Sequence, residues 1–360
     1  MSLFEPDNSA ERLPVSVITG FLGSGKTTLL NHLLRDPGMV DTALIINEFG
    51  DVAIDHLLVE SAIENAIVLQ SGCICCTVRG DLVDTLDDLC TKAAQGRLPP
   101  FSRVAIETTG LARPAPLVHT FLTERTLAGR FALQSLVTTV DAVNGPGQLD
   151  GFEEARHQVA LADVIVLTKS DLVPHGAVEA LTSRLQSMNP GAAIIAVVNG
   201  AISPDELFAH MPADPSCADG KVLAWLNAQA FDAPHGHDHT DDHGHSHHGT
   251  GIKAFAVTLD RPVAREALRR WLRSILSLRG KNLLRMKGIV ALHGAEAPIV
   301  VHAVQHVLHP PVQLAAWPTD DHTTRIVFIT QGIPPEALRN SLDVLASGDG
   351  SARYSAVTSS

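Results

Sequence analysis

Val15-Ser16-Val17-Ile18-Thr19-Gly20-Phe21-Leu22-Gly23-Ser24-Gly25-Lys26-Thr27-Thr28 is the stretch that decides the fold. The apolar, β-branched run Val15–Thr19 reads as a buried strand, and Lys26 to Arg35 has helical spacing. Between them, Gly20 to Thr27 fits the pattern G-x-x-x-x-G-K-[ST], which needs a strand before it and a helix after it. Such a loop turns its backbone N–H groups inward at a helix N-terminus and cradles phosphate. Gly20, Gly23, Ser24, Gly25, Lys26, Thr27 and Thr28 are therefore candidate nucleotide-binding residues. Lys26 reaches the β/γ oxygens, and the Thr27 hydroxyl is a candidate Mg²⁺ ligand.

Further along, apolar runs at Ala43–Asn47, Ala66–Gln70, Arg103–Glu107, Ser135–Asp141, Val164–Thr168 and Ala192–Val198 alternate with amphipathic stretches such as Arg79 to Ala94 and Val178 to Met188. This alternation means βαβ units, hence an α/β fold with a doubly wound, mostly parallel sheet over residues 13–210. Residues 1–12 read as an extension. From 211 to 250 the pattern dissolves into Pro, Asp, Gly and His, a linker. Regular structure returns with a run at Ile252–Leu259, a helix opened by Pro262 and reaching Leu278, and runs at Gly288–Leu292, Pro298–Val307 and Arg325–Thr330. A last helix starts at Pro334. That order predicts a smaller α+β domain over 251–345 and a polar tail over 346–360.

A phosphate loop needs a carboxylate at the end of a neighbouring buried strand, and Val104-Ala105-Ile106-Glu107-Thr108-Thr109-Gly110 supplies one. Glu107 is the candidate catalytic and Mg²⁺-side carboxylate, acting with Lys26 and Thr27, and the Gly110 N–H faces the γ-phosphate. Val166-Leu167-Thr168-Lys169-Ser170-Asp171 ends another strand. Asp171 there accepts from the guanine N1–H and exocyclic amine, a pattern adenine lacks, and the Lys169 stem packs on the base. The nucleotide is read as GTP.

Gly72-Cys73-Ile74-Cys75-Cys76 places three thiols after the strand ending at Gln70, on the edge where doubly wound folds bind ligands. Thiolates select soft or borderline metals, Zn²⁺ or Co²⁺ among them, and three are too few for a closed structural zinc site. An open, exchangeable site at Cys73, Cys75 and Cys76 follows. Glu48, in Asn47-Glu48-Phe49-Gly50, ends the second strand and is either a candidate to complete this site or the Mg²⁺ site, or a plain switch-loop carboxylate. Cys90 and Cys217 stand apart as structural thiols.

Composition sets the bounds. The chain has 360 residues, 45% hydrophobic and 18% charged, with a net charge of −12. That excludes wholesale disorder and argues against general nucleic-acid affinity. No apolar run approaches the roughly 18 residues of a membrane helix, and the start MSLFEPDNSAERLP has no signal-peptide form. A cytoplasmic location without membrane partners is expected. Histidine is over-represented at 18, and His235, His237, His239, His243, His245, His247 and His248 share the tract His235–His248, inside the linker, with three aspartates. Imidazoles and carboxylates so spaced bind transition metals exchangeably. Between Arg261 and Lys287 stand nine basic residues and one acidic one, Glu266. These read first as a solvated helix face, and more sharply as a docking surface for an acidic partner.

Taken together, Gly20–Thr27, Asn47–Gly50, Gly72–Cys76, Glu107–Gly110 and Thr168–Asp171 resemble the CobW family of P-loop GTPases, relatives of the nickel chaperones UreG and HypB. Leu283-Leu284-Arg285-Met286-Lys287-Gly288, Trp317 and Arg325–Ile329 look like that family's C-terminal domain, so the resemblance covers roughly residues 13 to 345. It implies a metallochaperone or metalloprotein activator in which GTP, Mg²⁺ and a transition metal meet in one domain, and hydrolysis serves delivery to a client apometalloprotein or a metal-cofactor biosynthesis enzyme. Cys73, Cys75 and Cys76 would ligate the metal, and Lys169 and Asp171 would read the base. Thr168 stands where the general GTPase pattern has Asn. A metal buffer with incidental hydrolysis is the competing reading, and oligomeric state is not readable.

Overall fold

The computed structural model describes residues 12–47, 66–71, 79–208 and 251–346. Residues 1–11, the linker of 211–250 and residues 347–360 lie outside the described residues.

The first part of the chain runs β1 (Leu13–Gly20), α1 (Lys26–Leu33), β2 (Thr42–Asn47), β3 (Ala66–Ser71), α2 (Arg79–Ala94), β4 (Arg103–Glu107), α3 (Pro114–Thr123), α4 (Arg125–Arg130), β5 (Phe131–Asp141), α5 (Gly145–Gly151), α6 (Glu153–Leu161), β6 (Val164–Thr168), α7 (His175–Met188), β7 (Ala193–Ala196) and α8 (Pro204–Phe208). Its strands form one seven-stranded sheet, ordered β3-β2-β4-β1-β5-β6-β7. Every pairing in it is parallel, so the expected mostly parallel sheet is wholly so among the described residues. β5 begins at Phe131 rather than Ser135, because Phe131 and Ala132 pair with Leu13 and Pro14.

Strand β1 is apolar on both faces because helices cover both. Val15 and Val17 pack with Leu82, Leu86 and Leu89 of α2 and Val118 and Phe121 of α3, whereas Ile18 packs with Leu29, Leu30 and Leu33 of α1. Each such side chain contributes roughly 1.5–3 kcal/mol of transfer free energy.

The second part runs β8 (Ile252–Leu259), α9 (Arg265–Arg279), β9 (Leu283–Val290), β10 (Ile299–Val304), β11 (Val307–Leu308), β12 (Val312–Gln313), β13 (Thr324–Gln331) and α10 (Pro335–Ala346). These strands make an antiparallel sheet, β11-β10-β9-β13-β8, with β12 on β10. Pro262 does not open the helix as expected. Val263 is committed to β-type bonds, its N–H to the Ala291 carbonyl and its carbonyl to the His293 N–H, so α9 starts at Arg265. Leu268, Trp271, Leu272 and Leu276 of α9 pack on one face of the sheet, and Trp271 Nε1 donates to Ser341 Oγ on α10 at 2.9 Å.

The other face of that sheet lies on the first domain. Leu284, Val304 and Ile329 join the apolar cluster of Phe121, Leu127, Ala160 and Leu161, so all of β9 is buried. The β9–β13 register slips at Leu284, and Leu284 and Arg285 in succession both meet the first domain. This corrects one expectation: Arg285 and Lys287 do not belong to the solvated basic face. Arg285 pairs with Asp163, in the turn between α6 and β6, and Lys287 Nζ lies 2.9 Å from Asp163 Oδ1 and 3.2 Å from the Gly191 carbonyl. His302 stacks on His309 with ring centroids 4.1 Å apart, while His306 Nδ1 bonds the Leu276 carbonyl.

Two cations thus share one buried carboxylate. Burial works to raise Asp163, but the Arg285 and Lys287 charges outweigh it and keep its carboxyl below the usual range. Burial, aided by the Arg285 charge, pulls the Lys287 ammonium down to about 7 against the attraction of Asp163. The two cations are therefore not equivalent. Asp163→Ala should destabilise the protein by about 3–5 kcal/mol, because it strands both cations, whereas Lys287→Met should be neutral or stabilising near neutral pH. Lys287 is depressed in the folded state, so the unfolded chain binds the extra proton from pH about 7 up to the free-lysine value of about 10.4. Wild-type stability should rise with pH across that window, and Lys287→Met should flatten the rise, as read by denaturant unfolding at several pH values.

Candidate nucleotide-binding site

Strand β1 lies between β4 and β5, so the segments that follow β1, β4, β5 and β6 open at one edge of the sheet. Gly20 ends β1 with φ of +145°, and a Cβ there would lie 2.1 Å from Thr139 Oγ1 and 2.6 Å from the Thr139 carbonyl oxygen of β5. No other residue type lets the chain turn so close to its neighbour. Ser24 is buried, its hydroxyl 2.6 Å from that of Thr139, and this bond fixes the middle of the loop. Gly25 then caps α1, which has no acidic residue in its first turn, so the helix presents an uncompensated positive end to the loop. Lys26 Nζ donates to the Gly20 and Phe21 carbonyls at 2.9 and 3.2 Å, which places the ammonium over the loop mouth. Thr27 is half-buried and Thr28 exposed.

The segment after β4 is tied to the same strand. Thr108 N–H donates to the Ile18 carbonyl at 2.9 Å and its hydroxyl to Thr19 Oγ1 at 2.8 Å. Glu107 is buried at the strand end. Gly110 sits against the loop itself, where a Cβ would lie 2.6 Å from Leu22 Cδ2 and 2.8 Å from the Leu22 nitrogen.

After β6 the fold uses its residues differently from one another. Thr168 Oγ1 donates to the Ser24 carbonyl at 2.8 Å, so the Thr in place of the general Asn serves the loop backbone. Lys169 adopts φ of 56°, and its ammonium donates to the Gly23 carbonyl at 2.9 Å and to Asp141 Oδ2 at 2.7 Å. Asp171 is exposed in the short turn Ser170–Leu172, open to a base. Asp141 is a residue the sequence reading missed. It is fully buried and also accepts from Asn144 Nδ2 and the Val143 and Asn144 N–H groups. Burial acts to raise it, but the bonds from Lys169, Asn144 and those backbone groups prevail and hold its carboxyl below the usual range. The signal was available in register alone, since Asp141 pairs with Thr168 across β5 and β6.

Cys73, Cys75, Cys76, Glu48 and the histidines 235, 237, 239, 243, 245, 247 and 248 lie outside the described residues. The strands that lead to the first four end side by side, Asn47 opposite Ser71. Cys90 packs on α2 among Leu86 and Leu89, and burial pushes its thiol up against the pull of Arg130.

Residues 14–196 match the CobW/HypB/UreG nucleotide-binding domain, and residues 252–346 match the cobalamin synthesis protein cobW C-terminal domain. The chain is 32% identical over 327 residues to a protein of Escherichia coli named zinc chaperone YjiA, spanning 91% of this chain and 96% of that one. It is 28% identical over 374 residues to zinc chaperone CobW of Pseudomonas aeruginosa, spanning 94% and 92%. Among solved structures, that of Zn(II)-bound YjiA GTPase from E. coli is similar with a TM-score of 0.66 at 27% identity, covering 93% of this chain and 99% of that chain.

Two substitutions test the geometry. Lys26→Ala should abolish nucleotide binding measured by calorimetry. Asp171→Ala should leave phosphate binding in place and reduce the preference for GTP over ATP by roughly 100-fold, the loss of two hydrogen bonds to a charged acceptor.

Proposed function

This chain belongs to the CobW/HypB/UreG family and is a GTPase, and we propose that it is a metallochaperone in which GTP hydrolysis is coupled to delivery of a transition metal from Cys73, Cys75 and Cys76 to a client metalloprotein. One observation carries the reading. β1, β4, β2 and β3 are neighbours in one parallel sheet, so the phosphate loop and the segments leading to Glu48 and the three thiols leave the sheet at the same edge. With strands spaced about 4.8 Å apart, the carboxyl ends of β1 and β3, which lead into the phosphate loop and towards the thiols, stand roughly 15 Å apart. The division of labour we propose follows the chain, with 13–210 handling nucleotide and metal and 251–345 forming the second unit.

In this reading the 20–28 loop holds the β-phosphate, Lys26 and the Gly110 N–H face the γ-phosphate, and Asp171 reads guanine. Thr27 offers a hydroxyl and Glu107 a carboxylate, hard oxygen donors suited to Mg²⁺, which when bound neutralises the phosphate charge. Lys169, held by Asp141, supports the loop at Gly23 as well as the base. Arg113, just beyond the turn after Gly110, is engaged by Glu153 and Glu154, which fits slow intrinsic turnover awaiting a client. Relatives named zinc chaperones favour Zn²⁺ over Co²⁺ as the cargo. The His235–His248 tract is proposed as an exchangeable loading site.

GTP hydrolysis against buffered free Zn²⁺ and Co²⁺, beside a Cys73→Ser, Cys75→Ser, Cys76→Ser triple variant, tests the coupling. Metal should change the rate or GTP affinity of the wild type and leave the variant unmoved. If metal binds and hydrolysis is indifferent to it in both, a metal buffer replaces the chaperone.

A further inference from the structure

The turn that carries Gly110 is not held by its own strand alone. Ala112 N–H closes it onto the Thr109 carbonyl at 3.1 Å, and two of its other carbonyls face inward. Both accept from one side chain: Gln158 Nε2, on α6, donates to the Gly110 carbonyl at 3.2 Å and to the Ala112 carbonyl at 2.9 Å. Gln158 is 1% exposed, and its Oε1 has no hydrogen-bond partner among the described residues. A buried amide with an unsatisfied acceptor is costly, and an apolar residue of the same size would pack without that cost. The donor half of the amide is thus the part that the fold uses. The helix bearing it is fixed at its far end, where Asn189 Nδ2 donates to the Val159 and Ala162 carbonyls at 2.7 and 2.9 Å. At its near end Glu153 and Glu154 hold Arg113, the residue after the turn.

We propose that Gln158 is a positioning residue for GTP hydrolysis: its amide grips the 109–112 turn from behind and keeps the Gly110 backbone seated against Leu22 of the phosphate loop. This rests on the reading of 20–28 and 107–110 as the phosphate site, and it deepens that reading. Gly110 has no side chain to hold it there, and its packing on Leu22 is a contact without direction. The two bonds from Gln158 supply the direction. The peptide plane that carries the Gly110 N–H is held by the Ala112 N–H on the Thr109 carbonyl, and the Gln158 bonds to the Gly110 and Ala112 carbonyls anchor that turn as a unit, so they act on the γ-phosphate state while leaving the β-phosphate cradle alone.

The test is Gln158→Met, which keeps most of the volume and removes the donor. The variant should bind GDP as the wild type does, lose about tenfold of its preference for GTPγS over GDP, and show kcat reduced about tenfold. Gln158→Asn, whose amide is one methylene short of both carbonyls, should show the same loss and serves if methionine is not accommodated. Val159→Ala, a neighbouring core truncation that does not touch the turn, reports what loss of stability alone does. Unchanged GTPγS preference and kcat in folded Gln158 variants, or losses no larger than those of Val159→Ala, would overturn the proposal. Failure of the underlying site reading looks different: Lys26→Ala would then bind GDP normally.

Discussion

Strand β1 is paired on both edges and covered on both faces, and the nucleotide-facing parts of the described structure hang from its carboxyl end. A strand so confined cannot slide past its neighbours, so the point where it stops is fixed by its pairing. Gly20 marks that point, and the Thr139 backbone beside it leaves no room for any side chain. From there the loop is stitched to two other strands by short polar contacts, Ser24 to Thr139 of β5 and Thr168 of β6 to Ser24, and Thr19 of β1 is tied to Thr108 just past β4. Each involves a hydroxyl, which donates and accepts within a small volume and so suits a crowded sheet edge.

A second constraint acts between the domains. Asp163 closes the turn from α6 to β6, accepting the Leu136 N–H at 2.9 Å, and at the same time pairs with Arg285 and Lys287 on the second sheet. Buried ion clusters of this kind contribute less to stability than to specificity of arrangement, since an apolar interface would do as well energetically. Here the specificity concerns which face of β9 meets the first domain. The register slip at Leu284 turns Arg285 inward, and only a carboxylate at the matching position makes that orientation tolerable.

Much of this was legible in the sequence, and the illegible parts share a cause. The phosphate loop was readable because backbone geometry fixes residue type at Gly20 and chemistry fixes it at Lys26 and Thr27. The positions of Glu107, at the end of β4, and of Asp171, in the turn after β6, were readable from the apolar runs that precede them. Arg285 and Lys287 were misread because charge density along the chain carries no sign of which strand face is buried. Asp141 was missed since its partners, Lys169 and Thr168, meet it only through sheet register. Gln158 had no signal at all: its partners are backbone carbonyls 48 and 46 residues away, and a carbonyl belongs to every residue type. Helix starts failed locally, at Pro262, where a bridge from Val263 claimed the backbone first.

Helix α6 connects the two constraints. Its first residue, Glu153, meets Gln331 of β13 at 3.4 Å as well as Arg113, its middle grips the 109–112 turn through Gln158, and the turn after it carries Asp163. An element that touches the 109–112 turn and the second sheet at once cannot answer to one without reporting to the other. The coupling so defined is reciprocal: whatever the nucleotide state contributes to the position of the second sheet, anything bound to that sheet returns to the nucleotide in equal measure. Its size is bounded by the difference in contact energy between the two arrangements of the turn, which here is the worth of two neutral hydrogen bonds and the Arg113 pairing, about 1–3 kcal/mol. That is enough to bias an equilibrium by one to two orders of magnitude, so contacts on the C-terminal sheet and occupancy of the nucleotide site are linked without any contact between them.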